Sequence, residues 1–243
     1  MEKIYVKARA KLNLTLNILN KREDGYHDLE SVFQKIGLYD ELYVEKTNSN
    51  HIELVCNVKE LENENNIIWK AYNVLKQMHP NISGIKVTLI KHIPIQAGLG
   101  GGSTDCATFL NSMNSLFNLG YSKQELVDIG KNLGADVPPC LYENSMLGQG
   151  IGEIITPIDT NMKYYVVIIK PQVSFSTKSM FDTIDNHPEF SQNYNSQDTI
   201  TALQTNNLSL LSSNLYNAFE EVVKDNPEIQ NVKKLLYENK AVR

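Results

Sequence analysis

The stretch "HIPIQAGLGGGSTDC", residues 92–106, places four glycines in five positions (Gly98, Gly100, Gly101, Gly102) and follows them with Ser103, Thr104 and Asp105. The whole chain of 243 residues holds only 13 glycines. Glycine costs backbone entropy on folding, so a dense cluster marks left-handed backbone or close approach of another group. A Walker A loop needs G-x-x-x-x-G-K-[ST], and no Gly-Lys-Ser/Thr occurs anywhere. A dinucleotide fingerprint needs a third glycine three positions after the second, where Ser103 stands, and the acidic residue that should close a second strand is missing. A third reading is a Gly-Ser loop feeding a helix. Backbone N–H groups of 100–104 and a helix dipole beginning near Thr104 would then favour an anion, with the Ser103 and Thr104 hydroxyls as added donors or metal ligands. The alternative is a tight strand-to-helix connection that binds nothing.

The flanks give the fold class. "KLNLTLNIL" puts Leu12, Leu14, Leu16 and Ile18 on one face and Asn13, Thr15 and Asn17 on the other, the period of a half-buried strand. "DGYHDL" then supplies a turn, and "VFQKIGLYDELYVEK" and "IELVCNV" (52–58) continue as strands. From Asn66 the period becomes helical through Ile67, Ile68, Ala71, Tyr72 and Leu75, with Asn65 or Asn66 as the cap. "GIKVTLIKHIP" returns to alternation just before the glycines. After Ser103 the spacing of Ala107, Leu110, Met113 and Phe117 is helical again. A further helix opens on the capping box Ser122–Glu125 and closes at Gly134, and the prolines of "ADVPP" cannot continue it. "YYVVIIK" (164–170) predicts a buried central strand, "DTITALQ" and "NLYNAFEEVV" predict short helices, and the polar segment 189–217 assigns itself to no function. Strands and helices without strict βαβ alternation predict an α+β fold in two lobes joined near 155–165.

Composition narrows the partners. A net charge of −5 with 21% charged residues offers no global field for nucleic acid or an anionic membrane. Any anion must therefore be held by local N–H groups and a few placed cations. The N-terminus lacks a signal-peptide pattern, and no apolar run approaches the roughly 20 residues of a membrane span. Three distant cysteines (Cys56, Cys106, Cys140) without C-x-x-C, and five histidines without ligand spacing, exclude a disulfide framework or transition-metal site. These features predict a reduced, cytoplasmic protein, a monomer or weak homodimer, with neither nucleic acid nor membrane as partner.

"PIQAGLGGGSTD" resembles the second motif of the GHMP kinases, P-x-x-x-G-L-G-S-S-A. "AKLNLTLNILNKREDGYHDLESVFQ" and "LGADVPPCLYENSMLGQGIGEIITPI" are similar to motifs of the branch with three successive glycines. That branch acts on the 2-hydroxyl of 4-diphosphocytidyl-2-C-methyl-D-erythritol, on the non-mevalonate route to isoprenoid precursors. The motifs fall in order over residues 8–157. The resemblance implies an ATP-dependent kinase for a cytidine diphosphate alcohol, with Mg²⁺ brought by ATP. "DGYH" and the triple glycine set the other GHMP types, acting on homoserine or mevalonate, behind this one. An inactive nucleotide-binding relative is the remaining alternative.

The same resemblance assigns residues. Pro94, Gly98, Leu99, Gly100, Gly101, Gly102, Ser103 and Thr104 would cradle the ATP phosphates, Ser103 also reaching the magnesium, and Asn66 would meet adenine. Asp136 of "GADVP" would be the catalytic base, with Lys11 of "AKLN" beside it. Read without the resemblance, Asp136 is a polar helix-terminating residue and Lys11 a solvated strand lysine, although Lys11 fits poorly beside Asn13, Thr15 and Asn17 unless that face lines a site. Tyr26 would stack on cytosine, His27 would bond its edge, and Phe181 of "STKSMF" would close the stack, or else pack in a helix core. Asn13 would meet the diphosphate or erythritol hydroxyls. Asp105 is expected to complement the helix dipole, and Cys106 and Cys140 to be small buried side chains.

The implied architecture is an N-terminal lobe over 1–157, with a mixed sheet like that of ribosomal protein S5, and a ferredoxin-like C-terminal lobe over 158–243. That second lobe is expected to be truncated, because the family's third motif, containing G-S-G, has no counterpart after residue 152. "DVPPC" also departs from the family's "DVPFF", which puts different packing behind Asp136.

Overall fold

The structure, a computed structural model, describes residues 2–187 and 194–242. Its elements are β1 (Lys3–Lys21), β2 (His27–Lys46), β3 (Ile52–Cys56), α1 (Ile67–Met78), β4 (Ile85–Ile90), α2 (Gly101–Leu116), α3 (Lys123–Leu133), α4 (Val137–Cys140), β5 (Ser145–Gly150), β6 (Ile154–Ile158), α5 (Thr177–Asn186), α6 (Ser196–Gln204), α7 (Leu208–Ser213), β7 (Tyr216–Asn217), α8 (Ala218–Val223) and α9 (Pro227–Glu238). The mixture is α+β as predicted. No helix among the described residues is long and apolar enough to cross a membrane.

The chain divides into two compact units, Met1–Leu12 with Lys35–Glu143, and Asn13–Gln34 with Asn144–Arg243. They interleave in sequence because β1 and β2 each contribute residues to both. The division therefore does not follow a single boundary at 157.

In the first unit β4 pairs antiparallel with β2 and parallel with β3. Ile85, Val87 and Leu89 of β4 are buried while Lys86, Thr88 and Ile90 are only partly so, which turns one face of the strand toward the helices. That face packs with Ile68, Ala71, Tyr72 and Leu75 of α1, and with Phe109, Leu110 and Met113 of α2, in one apolar core. Asn66 is the α1 cap: its Oδ1 accepts from the Ile68 N–H at 2.9 Å and its Nδ2 donates to the Leu61 carbonyl at 3.0 Å. The capping box at Ser122 and Glu125 forms, and α3 stops before Gly134.

One local expectation changes and another holds. α2 begins at Gly101, three residues before Thr104, because Gly100 adopts a left-handed φ of 67° and turns the chain directly into the helix. The prolines of "ADVPP" do not continue α3; they open α4, whose first turn asks for no N–H donor from Pro138 or Pro139.

In the second unit β2 residues Leu29–Phe33 pair antiparallel with β5, β5 pairs with β6, and β1 pairs in parallel with β7. Leu14, Val32, Ile158, Ala202, Leu203 and Leu211 form one core cluster, and Ile18, Ile184 and Ala218 another. α6 and α8 occupy the short helical patterns, whereas residues 189–193 of the polar segment lie outside the described residues. The strand predicted at 164–170 does not form. That run has no regular secondary structure, with Tyr165 fully exposed and Val167 largely so. None of the strands β1–β7 pairs with it, so no ladder takes up its backbone groups, and Tyr164 alone of the run packs against a core cluster.

Candidate active site

The first unit gathers the glycine loop, Lys11 and Asp136. Gly98 and Gly100 both have left-handed φ, 72° and 67°, which explains two of the four glycines. Of the other two, only Gly101 answers to space. At Gly101 a Cβ would lie 3.2 Å from Lys91 Nζ and from Ile93 Cγ2, whereas at Gly102 it would meet nothing within 4 Å. The first intrahelical bond of α2 runs from the Thr104 N–H to the Gly100 carbonyl at 2.8 Å. The N–H groups of 101–103 thus precede the ladder, at the positive end of a 16-residue helix.

Lys11 lies against this turn. Its N–H donates to the Leu99 carbonyl at 3.0 Å, and its stem passes so near Gly100 that a Cβ there would sit 2.9 Å from Lys11 Cγ. Leu99 packs with Ala10 and Ile93, which fastens the loop to β1. The Lys11 side chain is buried, and its ammonium stands 3.3 Å from Asp136 Oδ2. Asp136 precedes α4 but makes no side-chain capping bond, and it is half exposed. The pair thus sets a half-exposed carboxylate, open on one side, against a buried ammonium. Lys11 is thus not the solvated strand lysine that the residues alone allowed, and Asp136, between α3 and α4, has an ionic partner besides its place at a helix boundary.

Two further lysines reach the same turn, and the sequence reading missed both. Lys35 of β2 is buried, and its ammonium donates to Thr104 Oγ1 at 2.9 Å and to the Arg9 carbonyl at 3.1 Å. The signal was a charge inside the apolar run Val32-Phe33-Gln34-Lys35-Ile36. Lys91, just past β4, pairs with Asp40 and with Asp105, the latter at 2.6 Å, and Asp40 also accepts from the N–H groups of His92 and Ile93. Burial pulls the Lys91 ammonium down, but its two carboxylates outweigh it and hold the group above the usual lysine range. Burial pushes the Asp105 carboxyl well up despite Lys91, and its Oδ1 has no hydrogen-bond partner.

These contacts reassign two loop residues. The Thr104 hydroxyl faces inward, donating to the Arg9 carbonyl at 2.7 Å while accepting from Lys35, so it is not a donor turned to a ligand. Asp105 answers Lys91 rather than the helix dipole, because the earlier start of α2 moves it out of the first turn. Ser103 is half-buried and Pro94 exposed. The Asn66 carboxamide is engaged at both ends in capping α1.

The second unit gathers Asn13, Tyr26, His27 and Phe181. Asn13 Nδ2 donates to Ser31 Oγ at 2.8 Å. Tyr26 is 57% exposed on the "DGYH" turn. His27 is buried, and its ring stacks on Phe181 with centroids 4.6 Å apart. Phe181 also meets Phe219 edge-on at 5.1 Å and joins the Ile18–Ile184–Ala218 cluster, so the core-packing alternative holds for it as well. Asp185 is a group that the sequence did not single out. Its carboxylate takes His27 Nε2 at 2.7 Å and Lys21 Nζ at 2.5 Å, and these bonds hold it below the usual carboxylate range.

Known proteins are similar to this chain in sequence and in fold. The model of the GHMP kinases N terminal domain matches residues 66–144. The 4-diphosphocytidyl-2-C-methyl-D-erythritol kinase of Lachnospira eligens is 37% identical over 249 residues, covering all of this chain and 84% of the relative. The enzyme of the same name from Alkaliphilus oremlandii is 38% identical over the same shares. A crystal structure of 4-(cytidine 5'-diphospho)-2C-methyl-D-erythritol kinase superposes with a TM-score of 0.78 at 25% identity, over 97% of this chain and 83% of that one. A homoserine kinase from Cytophaga hutchinsonii, at 16% identity and a TM-score of 0.70, covers all of this chain and 81% of its own, and shares the fold. With its glycine turn, its Lys11–Asp136 pair and relatives of one name that match the whole of it, this chain belongs to the GHMP kinase family, in the branch of the 4-diphosphocytidyl-2-C-methyl-D-erythritol kinases.

Proposed function

We propose that this kinase transfers the γ-phosphoryl group of ATP to the 2-hydroxyl of 4-diphosphocytidyl-2-C-methyl-D-erythritol. The observation that carries the reading is Lys11: its stem touches Gly100 of the loop and its ammonium lies 3.3 Å from Asp136. One residue thereby ties the place for phosphate to the place for a proton.

In this mechanism the N–H groups of 101–103 hold the ATP phosphates, helped by the α2 dipole. Asp136 accepts the hydroxyl proton as the alcohol oxygen bonds to the γ-phosphorus and the bond to the bridging oxygen of ADP breaks. The Lys11 ammonium stabilises charge on the transferring group. Tyr26 and His27 are assigned to the cytosine ring and Asn13 to the diphosphate or erythritol hydroxyls. Phe181 would close the stack on cytosine by parting from His27. Magnesium enters with the ATP phosphates, which supply most of its ligands. Ser103 would be the loop hydroxyl to join them, since that of Thr104 is engaged by the Arg9 carbonyl and Lys35.

The test is ADP release with each alcohol in turn. The cytidine diphosphate alcohol should support turnover, and homoserine and mevalonate should not. Turnover with either of those and none with the cytidine compound would sink the substrate assignment.

A further inference from the structure

Lys35 is a buried cation that this mechanism leaves unused and that, unlike Lys91, bonds the first turn of α2 through a hydroxyl. Its ammonium, the Thr104 hydroxyl and the Arg9 carbonyl form a closed triangle: Lys35 donates to both oxygens, at 2.9 and 3.1 Å, and Thr104 donates to Arg9 at 2.7 Å. Three segments meet there: β1 two residues before Lys11, the middle of β2, and the start of α2. Burial holds Lys35 below the usual lysine range, and the charges of Lys11 and Arg9 push the same way, against Cys140 and Glu143. The folded state thus disfavours the charge it keeps there. A methionine fills a similar volume without that desolvation cost, so stability alone does not call for a lysine.

We infer that Lys35 is a positioning residue of the phosphoryl-transfer site. Through Thr104 it fixes the first turn of α2, and with it the N–H groups of 101–103, against the β1 segment that carries Lys11. The inference rests on reading the glycine loop as the phosphate cradle. Its physical basis is the sensitivity of in-line transfer to placement, where an error of about 1 Å costs on the order of a hundredfold in rate. Thr104 keeps its bond to Arg9 without Lys35, but one hydroxyl pivoting on one carbonyl fixes a point, whereas the triangle fixes an orientation.

The experiment compares Lys35→Met, Lys35→Arg and Gly102→Ala with the wild-type chain by steady-state kinetics and urea unfolding. Lys35→Met should be at least as stable as wild type, lose about 10- to 100-fold in kcat, and keep its KM for the alcohol within about twofold. Lys35→Arg, which restores a charged donor, should recover at least about fivefold of that kcat. A Lys35→Met chain that does not fold, or unfolds at lower urea, makes Lys35 a structural pin and overturns the inference; so does wild-type kcat in that variant. Gly102→Ala separates the two levels. If it impairs use of ATP and Lys35→Met does not, the positioning role alone falls. If it leaves use of ATP intact, the cradle reading falls and takes this inference with it.

Discussion

Gly100 and Gly102 sit two residues apart at the start of α2, yet alanine at each should move stability in opposite directions. At Gly100 the φ of 67° is a left-handed backbone that costs alanine about 1–2 kcal/mol. The new Cβ would also press on Lys11 Cγ at 2.9 Å and displace the lysine stem. At Gly102 the backbone is helical and exposed, and a Cβ would meet nothing within 4 Å. Alanine there should gain roughly 0.5–1 kcal/mol from the unfolded chain's lost freedom. The variants should therefore differ by about 2 kcal/mol, a gap of roughly 4–8 °C in thermal midpoint for a chain of this size. Both should lose activity, for different reasons. Gly100→Ala moves Lys11 away from Asp136 and should lower kcat; Gly102→Ala puts a methyl group where phosphate oxygens approach the N–H groups and should raise the KM for ATP by about tenfold or more. Scanning calorimetry and ADP-release kinetics read both effects. A Gly102→Ala chain that is more stable and uses ATP as wild type does would refute the cradle. A Gly100→Ala chain as stable as Gly102→Ala would refute the account of the turn.

Asp136→Asn should cut kcat by about 10²–10⁴, with ATP affinity, read by titration calorimetry, changing less than about threefold. Asp105→Asn should flatten part of the pH dependence of stability. An acid whose folded pKa is raised costs nothing below its unfolded value near 4 and progressively more as pH climbs toward the folded value, so the variant should gain on wild type from pH 4 to pH 8 in urea melts. A constant difference across that range would contradict the raised carboxyl. Ser122→Ala removes the α3 cap and should cost about 1 kcal/mol in urea unfolding while leaving kcat unchanged.

The sequence made the first unit legible because its signals were local. Asn66 and Ser122 cap helices whose starts they announced, and Ile85, Val87 and Leu89 alternate as the sheet requires. The strand at 164–170 misled because apolar β-branched content marks a segment that could be buried, not one that has a neighbour to pair with. Asp185 and Lys35 were hidden for the converse reason. Each is an ordinary charged residue in its own stretch and gains its meaning from a partner far along the chain, His27 or Thr104. Lys11 lay between these cases. A lysine on a strand face of Asn13, Thr15 and Asn17 was already out of place, and Asp136 supplies the reason.

The glycine turn itself shows how a chain of net charge −5 can prepare a place for polyphosphate. Three buried lysines from three segments converge on it: Lys11 against Gly100, Lys91 against Gly101, and Lys35 on Thr104. Each charge is answered differently, by the half-exposed Asp136, by the buried Asp40 and Asp105, and by neutral oxygens. Lys91 is the one whose charge is matched on two sides, so it serves to anchor the helix start and adds little field outside. Lys11 and Lys35 both lie at the end of α2 where the N–H groups already favour an anion. The glycines follow from this crowding as much as from the ligand: at Gly100 and Gly101 a side chain would collide with a lysine before it met any phosphate. Gly102 is the exception, with open space over its Cα, and for that reason its substitution tests the ligand rather than the packing.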